Sequence, residues 1–280
     1  MFKVRVAKDG SGDYYTLQEA ISSIPYNLEA KITIGEGIYR EKIFSDKKIL
    51  EIIGEGNVII TYSDFAKEIL SEGKKRGTFR SYTAFFSGEM LRMENITIIN
   101  SAGSGKDVGQ ALALYLDVKE AMLRNVRLYG DQDTLFLSPL PDEEREKNGF
   151  FGPRFLLPRE RRHTVLEECE IRGGVDFIFG GGDAYFHNCK IESVDEGYVT
   201  APSGKKEWDG FVFDNCSFTS KKDMIGKVYL MRPWRDEGKA KFVDCTFGPH
   251  INRKMFSSWP GREDKAKLST FIVENSKFLD

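Results

Sequence analysis

The chain has no apolar run approaching the ~20 residues that would cross a bilayer as a helix. It also has no CxxC pair among its four cysteines, only three histidines, and no excess of either charge. Each absence removes a class. No membrane-spanning helix is expected, and neither is a zinc ribbon or a dithiol redox motif. With 41 Lys plus Arg against 43 Asp plus Glu, no basic face for nucleic acid or for lipid headgroups is expected. The opening Met1-Phe2-Lys3-Val4-Arg5-Val6 alternates from Phe2 as a strand does and lacks the charged start and apolar stretch of a secretory leader. A cytoplasmic location is therefore expected, or secretion if a leader has been trimmed. In the cytosol the thiols are expected to be reduced.

What is present is a repeat. Glu168-Cys169-Glu170-Ile171, Asn188-Cys189-Lys190-Ile191, Asn215-Cys216-Ser217-Phe218 and Asp244-Cys245-Thr246-Phe247 are one phrase written four times. Asn95-Ile96-Thr97-Ile98, Asn125-Val126-Arg127-Leu128 and Asn275-Ser276-Lys277-Phe278 are looser copies. Within each copy apolar or small residues alternate with polar ones, which is strand periodicity. From Cys169 the phrases return after 20, 27, 29 and 31 residues. A loose period of this size predicts a solenoid, and strand-rich units with Asn at the turns predict an all-β parallel β-helix. The cysteines then form an internal ladder of small apolar side chains rather than a reactive set.

A solenoid needs its ends covered. Thr16 to Pro25 has apolar residues at Leu17, Ala20, Ile21 and Ile24, a Thr16/Glu19 capping box and a terminating proline. It predicts a short N-terminal capping helix. No linker or composition shift divides the chain, so one domain over residues 1–280 is expected. Residues 138–162 break the rhythm with prolines and dense charge, and predict a long loop excursion.

Three clusters carry candidate chemistry: Gly130-Asp131-Gln132-Asp133-Thr134-Leu135-Phe136, Gly174-Val175-Asp176-Phe177-Ile178-Phe179-Gly180 and Leu230-Met231-Arg232-Pro233-Trp234-Arg235. Asp176 lies in an apolar strand, where a carboxylate is costly unless paired, and Arg232 is a candidate partner. Coil stacking brings Asp133, Asp176 and Arg232 to one face. Two neighbouring carboxyls have their pKa values driven apart, so one can be an ionised nucleophile and the other a protonated acid. Each feature also has a plain structural reading. Asp133 could cap a turn, Asp176–Arg232 could be a structural ion pair, Trp234 could pack, and Gln110 with Gln132 could form an amide ladder. On spacing alone, a carboxylate-based carbohydrate-active β-helix is the best reading.

At these residues the sequence resembles the pectin methylesterase family. The resemblance is carried by Val6 to Tyr14 with Thr16 to Pro25, Gly37-Ile38-Tyr39-Arg40-Glu41-Lys42, Gly109-Gln110-Ala111-Leu112-Ala113-Leu114, Gln132-Asp133-Thr134-Leu135, Asp176-Phe177-Ile178-Phe179-Gly180 and Arg232-Pro233-Trp234, in that order. It implies a single-stranded right-handed parallel β-helix and hydrolysis of galacturonate methyl esters with release of methanol. Asp176 would be the nucleophile and Asp133 the acid and then the base. Gln110 and Gln132 would donate to the oxyanion, and Arg232 would orient Asp176. Trp234, Phe179, Phe136 and, from a segment resembling the family's TTFRSAT, Thr78 would contact substrate. No metal or cofactor is required, and the partner would be a methyl-esterified galacturonan oligosaccharide or polymer bound by a monomer. His163, His187 and His250 receive no catalytic role.

Two departures stand out. Met231 replaces the family's usual glycine and is expected to narrow a subsite or shift a loop. The excursion is expected to reshape the groove, favouring short oligomers. Rival readings are a pectate lyase or polygalacturonase on the same fold, an esterase of this family acting on another ester such as a thioester, and a non-catalytic carbohydrate-binding solenoid.

Overall fold

The computed structural model describes residues 1–279. Its strands pair in parallel, each with the equivalent strand of the coil before and after. One column runs Lys3, Lys31, Glu51, Arg92, Met122, Val165, Tyr185, Val212, Lys241, Ile272 through successive coils. The next residue along each of these strands points the other way, because side chains alternate across a strand. That gives the inner column Val4, Ile32, Ile52, Met93, Leu123, Leu166, Phe186, Phe213 and Phe242, all buried. Phe186, Phe213 and Phe242 stack nearly parallel at 4.3 and 4.9 Å. Each large apolar side chain buried in this way is worth about 1.5–3 kcal/mol. This is a parallel β-helix.

The repeated phrase is the coil's corner. Asn95, Asn125, Glu168, Asn188, Asn215, Asp244 and Asn275 all sit at φ between 48° and 59°. Asn tolerates this left-handed conformation better than most residues because its short amide bonds locally. The amides also bond between coils, Asn125 to Asn95 at 2.8 Å and Asn215 to Asn188 at 2.6 Å. The residue after each corner turns inward, so Cys169, Cys189, Cys216 and Cys245 are free, buried and stacked. Their thiols face main-chain carbonyls at 3.2–3.5 Å.

The N-terminal mouth is covered by the helix Leu17–Ser23. Leu17, Ala20 and Ile21 enter the same apolar core as Val6, Ile32 and Ile34. Thr16 caps it by accepting from the Glu19 amide. Glu19 does not reach back to the main chain; its carboxylate accepts the Thr16 hydroxyl at 2.6 Å. Glu41 accepts from the first two helical amides, Leu17 and Gln18, at 3.1 and 2.9 Å, joining helix to coil. Tyr39 is buried with its hydroxyl donating to the Gly35 carbonyl, and Lys42 pairs with Asp64. The Gly37–Lys42 motif is therefore a set of structural ties.

Residues 140–162 leave the helix and fold back over it. Leu140 and Phe150 are buried in a second aromatic cluster outside the coil interior. Arg154 and Arg162 pair with buried Asp117.

Candidate active site

The second aromatic cluster floors a cleft of about 440 Å³ on the outer face of the coils. Asp133, Asp176, Gln110, Gln132, Arg232, Trp234, Phe179 and Thr78 all line it. Register explains the convergence. Ile178 pairs with Leu135 and Phe179 with Phe136, so Asp176 sits one coil above Asp133 at the equivalent position. Phe179 pairs onward with Ala201, and the next coil brings Arg232 beside it, with Met231 opposite Thr200.

Both aspartates have left-handed backbones, φ 62° at Asp133 and 48° at Asp176. Such conformations are strained for most side chains and cluster at working sites. Asp176 also lies where the pairing to the next coil slips, between Val175 and Ile178. A bulge of this kind re-aims a side chain. The turn below is laced to it: the Asp133 amide donates to Val175 O at 3.1 Å and the Gly174 amide to Asp131 O at 2.8 Å. A Cβ at Gly174 would lie 2.4 Å from Asp131 Oδ1 and 3.1 Å from Asp195 Cβ, so a side chain there would displace the Asp131 carboxylate.

The two carboxyls have different surroundings. Arg232 grips Asp176 through both oxygens, Nε to Oδ1 at 3.2 Å and Nη2 to Oδ2 at 2.5 Å. The guanidinium lies between the Tyr198 and Trp259 rings, 3.7 Å from each centroid. Trp259 is fixed in turn by donating to Pro233 O at 2.8 Å. Asp133 has no such cation, and its carboxyl makes no hydrogen bond among the described residues. Burial, then the Asp176 charge, push the Asp133 pKa well up, only partly countered by Arg232. Burial also raises Asp176, but the Arg232 charge and hydrogen bonds oppose it. The surroundings therefore favour the proton on Asp133 and the charge on Asp176. The Gln110 and Gln132 side-chain amides are half-buried and bond to no described residue, so their N–H groups are open to the cleft.

Two expectations need correction. Phe136 does not face the cleft. It is fully buried, edge-on to Tyr115 at 4.7 Å and beneath Phe79 at 5.0 Å and Phe179 at 4.9 Å. Its outer side is covered by Phe79 and by its neighbours Tyr115 and Phe179 from adjacent coils, so alternation did not expose it; Phe79 lines the cleft instead. Met231 narrows no subsite, because its side chain is fully buried in the main core. His163 and His187 pair with Asp183 and Asp214, and buried His250 has its pKa lowered to about 4; none lines the cleft.

Several lining residues had no signal in the sequence. Trp259 follows the last clear motif, and Arg145, Glu146 and Phe150 come from the excursion. Arg235 was legible only as the neighbour of Trp234.

The sequence matches the family model described as Pectinesterase over residues 3–140 and 159–276. It is 31% identical over 274 residues to Pectinesterase 31 of Arabidopsis thaliana, covering 94% of this chain and 78% of that one. It spans less than half of longer relatives of the combined pectinesterase/pectinesterase inhibitor type. The fold is similar to pectin methylesterase PemA from Erwinia chrysanthemi, with TM-score 0.79 and 25% identity over 99% of this chain and 90% of that one. It is equally similar, with the same score, identity and coverage, to a pectin methylesterase solved in complex with a hexasaccharide.

Proposed function

This chain belongs to the pectinesterase family, and on that premise we propose that Asp176, Asp133, Gln110, Gln132 and Arg232 perform its ester hydrolysis. The reaction is demethylesterification of pectin, and the protein is a carboxylic ester hydrolase. An ionised Asp176 oxygen attacks the methyl-ester carbonyl, and the carbonyl π electrons move to oxygen. Gln110 and Gln132 donate to that oxyanion, a contribution typically worth about 10²–10³ in rate per donor. Collapse expels methoxide, which takes the Asp133 proton and leaves as methanol. The resulting anhydride with Asp176 is hydrolysed by a water that gives its proton to Asp133. A free galacturonate leaves, and both aspartates return to their starting states. Arg232 keeps Asp176 ionised and aimed. Trp234, Phe179 and Thr78 form the sugar-contacting walls. The excursion narrows the cleft from one side, which favours short oligomers as substrate.

The observation that carries this reading is the one-coil stacking of Asp133 on Asp176, with the guanidinium on Asp176 alone. Methanol release from methyl-esterified oligogalacturonides tests it. Asp133→Asn and Asp176→Asn are each expected to lose about 10³-fold or more in turnover, as when one member of a coupled unit is removed. Near-normal turnover in either variant removes the assignment. New reducing ends or unsaturated products would instead point to chain cleavage, which the relatives do not favour.

A further inference from the structure

The Gln132 side-chain amide lines the cleft and bonds to no described residue. A donor to an oxyanion works because it is already aimed when the charge develops. With no hydrogen bond to fix it, Gln132 takes its aim from packing.

That packing comes from one short turn. Gly105–Val108 is a single helical turn, and the Ser104 side chain caps it by accepting from the Lys106 amide. Gly105 lies against Gln132. A Cβ at Gly105 would be 2.6 Å from Gln132 Cβ and 3.1 Å from its Oε1, so a side chain there would push the two apart. The turn thus presses on the stem and the oxygen end of the amide and leaves its N–H end to the cleft. The Ala111 amide, just past the turn, donates to Gln132 O at 3.0 Å.

The turn is fastened at both ends by charged side chains, the stronger kind of hydrogen bond. At its start, Asp131 Oδ2 accepts the Gly105 amide at 3.0 Å. At its end, Lys67 Nζ donates to Lys106 O and Asp107 O at 2.9 and 3.1 Å. The remaining tie, Lys106 to Asp195, leaves the lysine side chain 74% exposed and holds little. Asp131 pairs with no cation among the described residues, and the Gly105 amide is the one hydrogen bond its carboxylate makes there. Asp131 does not line the cleft. It also stands just outside the Gln132–Leu135 motif that carries the family resemblance.

We propose that Asp131 is a positioning residue of the oxyanion site. By holding the Gly105 amide it keeps the 104–109 turn against Gln132, and so keeps the Gln132 amide aimed at the ester oxygen. The proposal rests on the reading of Gln132 as an oxyanion donor. It separates cleanly from the brace under Asp176, because the Gly174 amide bonds to the main-chain carbonyl of Asp131, which any side chain leaves in place.

The test is a double-mutant cycle read as methanol release from methyl-esterified oligogalacturonides. Asp131→Ala is expected to lower kcat by about ten- to a hundredfold with KM little changed, since misplacing a catalytic group by about 1 Å costs up to about 10²-fold. The loss stays below that of Gln132→Ala, because a support is worth no more than the group it supports. Asp131→Asn keeps an acceptor oxygen and brings kcat back to within about threefold of wild type. In a Gln132→Ala background, Asp131→Ala costs less than about twofold, as it must if the two act as one unit. A wild-type kcat in Asp131→Ala overturns the proposal, and so does a change confined to KM. A loss that is equally large in the Gln132→Ala background overturns it as well, since Asp131 would then act elsewhere. Should the alanine variant melt early, Asp131→Ser, one atom too short to hold the amide, takes its place in the cycle. Gln132→Ala at full wild-type kcat removes the oxyanion reading and this support with it. A slow Gln132→Ala beside a full-speed Asp131→Ala removes the support alone.

Discussion

Replacing Arg232 by lysine keeps a positive charge and removes a shape. The guanidinium makes two bonds to Asp176 and is held flat between two aromatic rings. A lysine ammonium cannot reach both oxygens in that plane and does not fill the slot between Tyr198 and Trp259. A hydrogen bond to a charged group is worth about 1.5–3 kcal/mol. The Arg232 and Asp176 side chains are only 12% and 11% exposed, so solvent screening takes little from that figure. At about 1.4 kcal/mol per decade, loss of one bond lowers kcat by about 10- to 150-fold. Arg232→Gln goes further by removing the charge. On the proposed mechanism Asp176 is ionised and Asp133 protonated, so the rate is expected to fall on the acid side through Asp176 and on the alkaline side through Asp133. Arg232 lowers both pKa values. Its neutral replacement therefore moves both limbs of the pH profile upward, as apparent values of the coupled pair. Methanol release across pH reads both effects. A lysine variant within about threefold of wild type in kcat, together with a glutamine variant whose acid limb has not moved, would refute the positioning role.

Gln132→Ala is expected to lower kcat by about 10²–10³ with little change in KM, because its amide meets charge that exists only in the transition state; initial rates over a substrate series decide, and a pure KM effect would make it a binding group. Asp133→Asn removes a carboxyl whose folded pKa is raised. Wild-type stability from that group is fullest below the unfolded aspartate pKa of about 4 and declines as pH rises toward the folded value. The variant's melting temperature should therefore gain on wild type between pH 4 and 8, and a constant difference across that range contradicts the buried-acid assignment. Glu168 is the one corner residue that is neither Asn nor Asp, and it interrupts the amide ladder between Asn125 and Asn188. Glu168→Asn should stabilise by about 0.5–1 kcal/mol, or about 1–4 °C by calorimetry. Its contacts to Arg124 are long and exposed, so little is lost; a lower melting temperature would show that the corner conformation is not limiting.

The coil corners were legible because one conformational demand, a left-handed residue followed by one that turns inward, recurs from coil to coil and selects Asn at five of the seven corners and Cys after four of them. The capping helix was legible from local chemistry, although the partner of its first amides, Glu41, lies 24 residues on. The convergence of Asp133, Asp176 and Arg232 was legible as an approximate stacking, but coil lengths were not. Asp133 to Asp176 is a single coil because the excursion lies inside it, whereas Asp176 to Arg232 spans two shorter ones. The burial of Phe136 was hidden for a different reason. Alternation tells which side of a strand a residue takes, and only the placing of Phe79, from a turn 57 residues earlier, decides whether that side meets water. Trp259 was invisible because it belongs to no strand and acts through a cation that is distant in sequence.

The pairing of Ile178 with Leu135 has a consequence for how this chemistry can vary. The strands that carry the two acids are one rung of a hydrogen-bonded ladder apart, about 4.8 Å between backbones. No side chain sets it, and no loop can stretch it gradually. A slip of one residue would turn an aspartate inward, and a slip of two would seat it beside the wrong neighbour. The geometry of the reaction can thus change only in whole steps, while the walls around it, carried on segments outside the ladder, are free to drift.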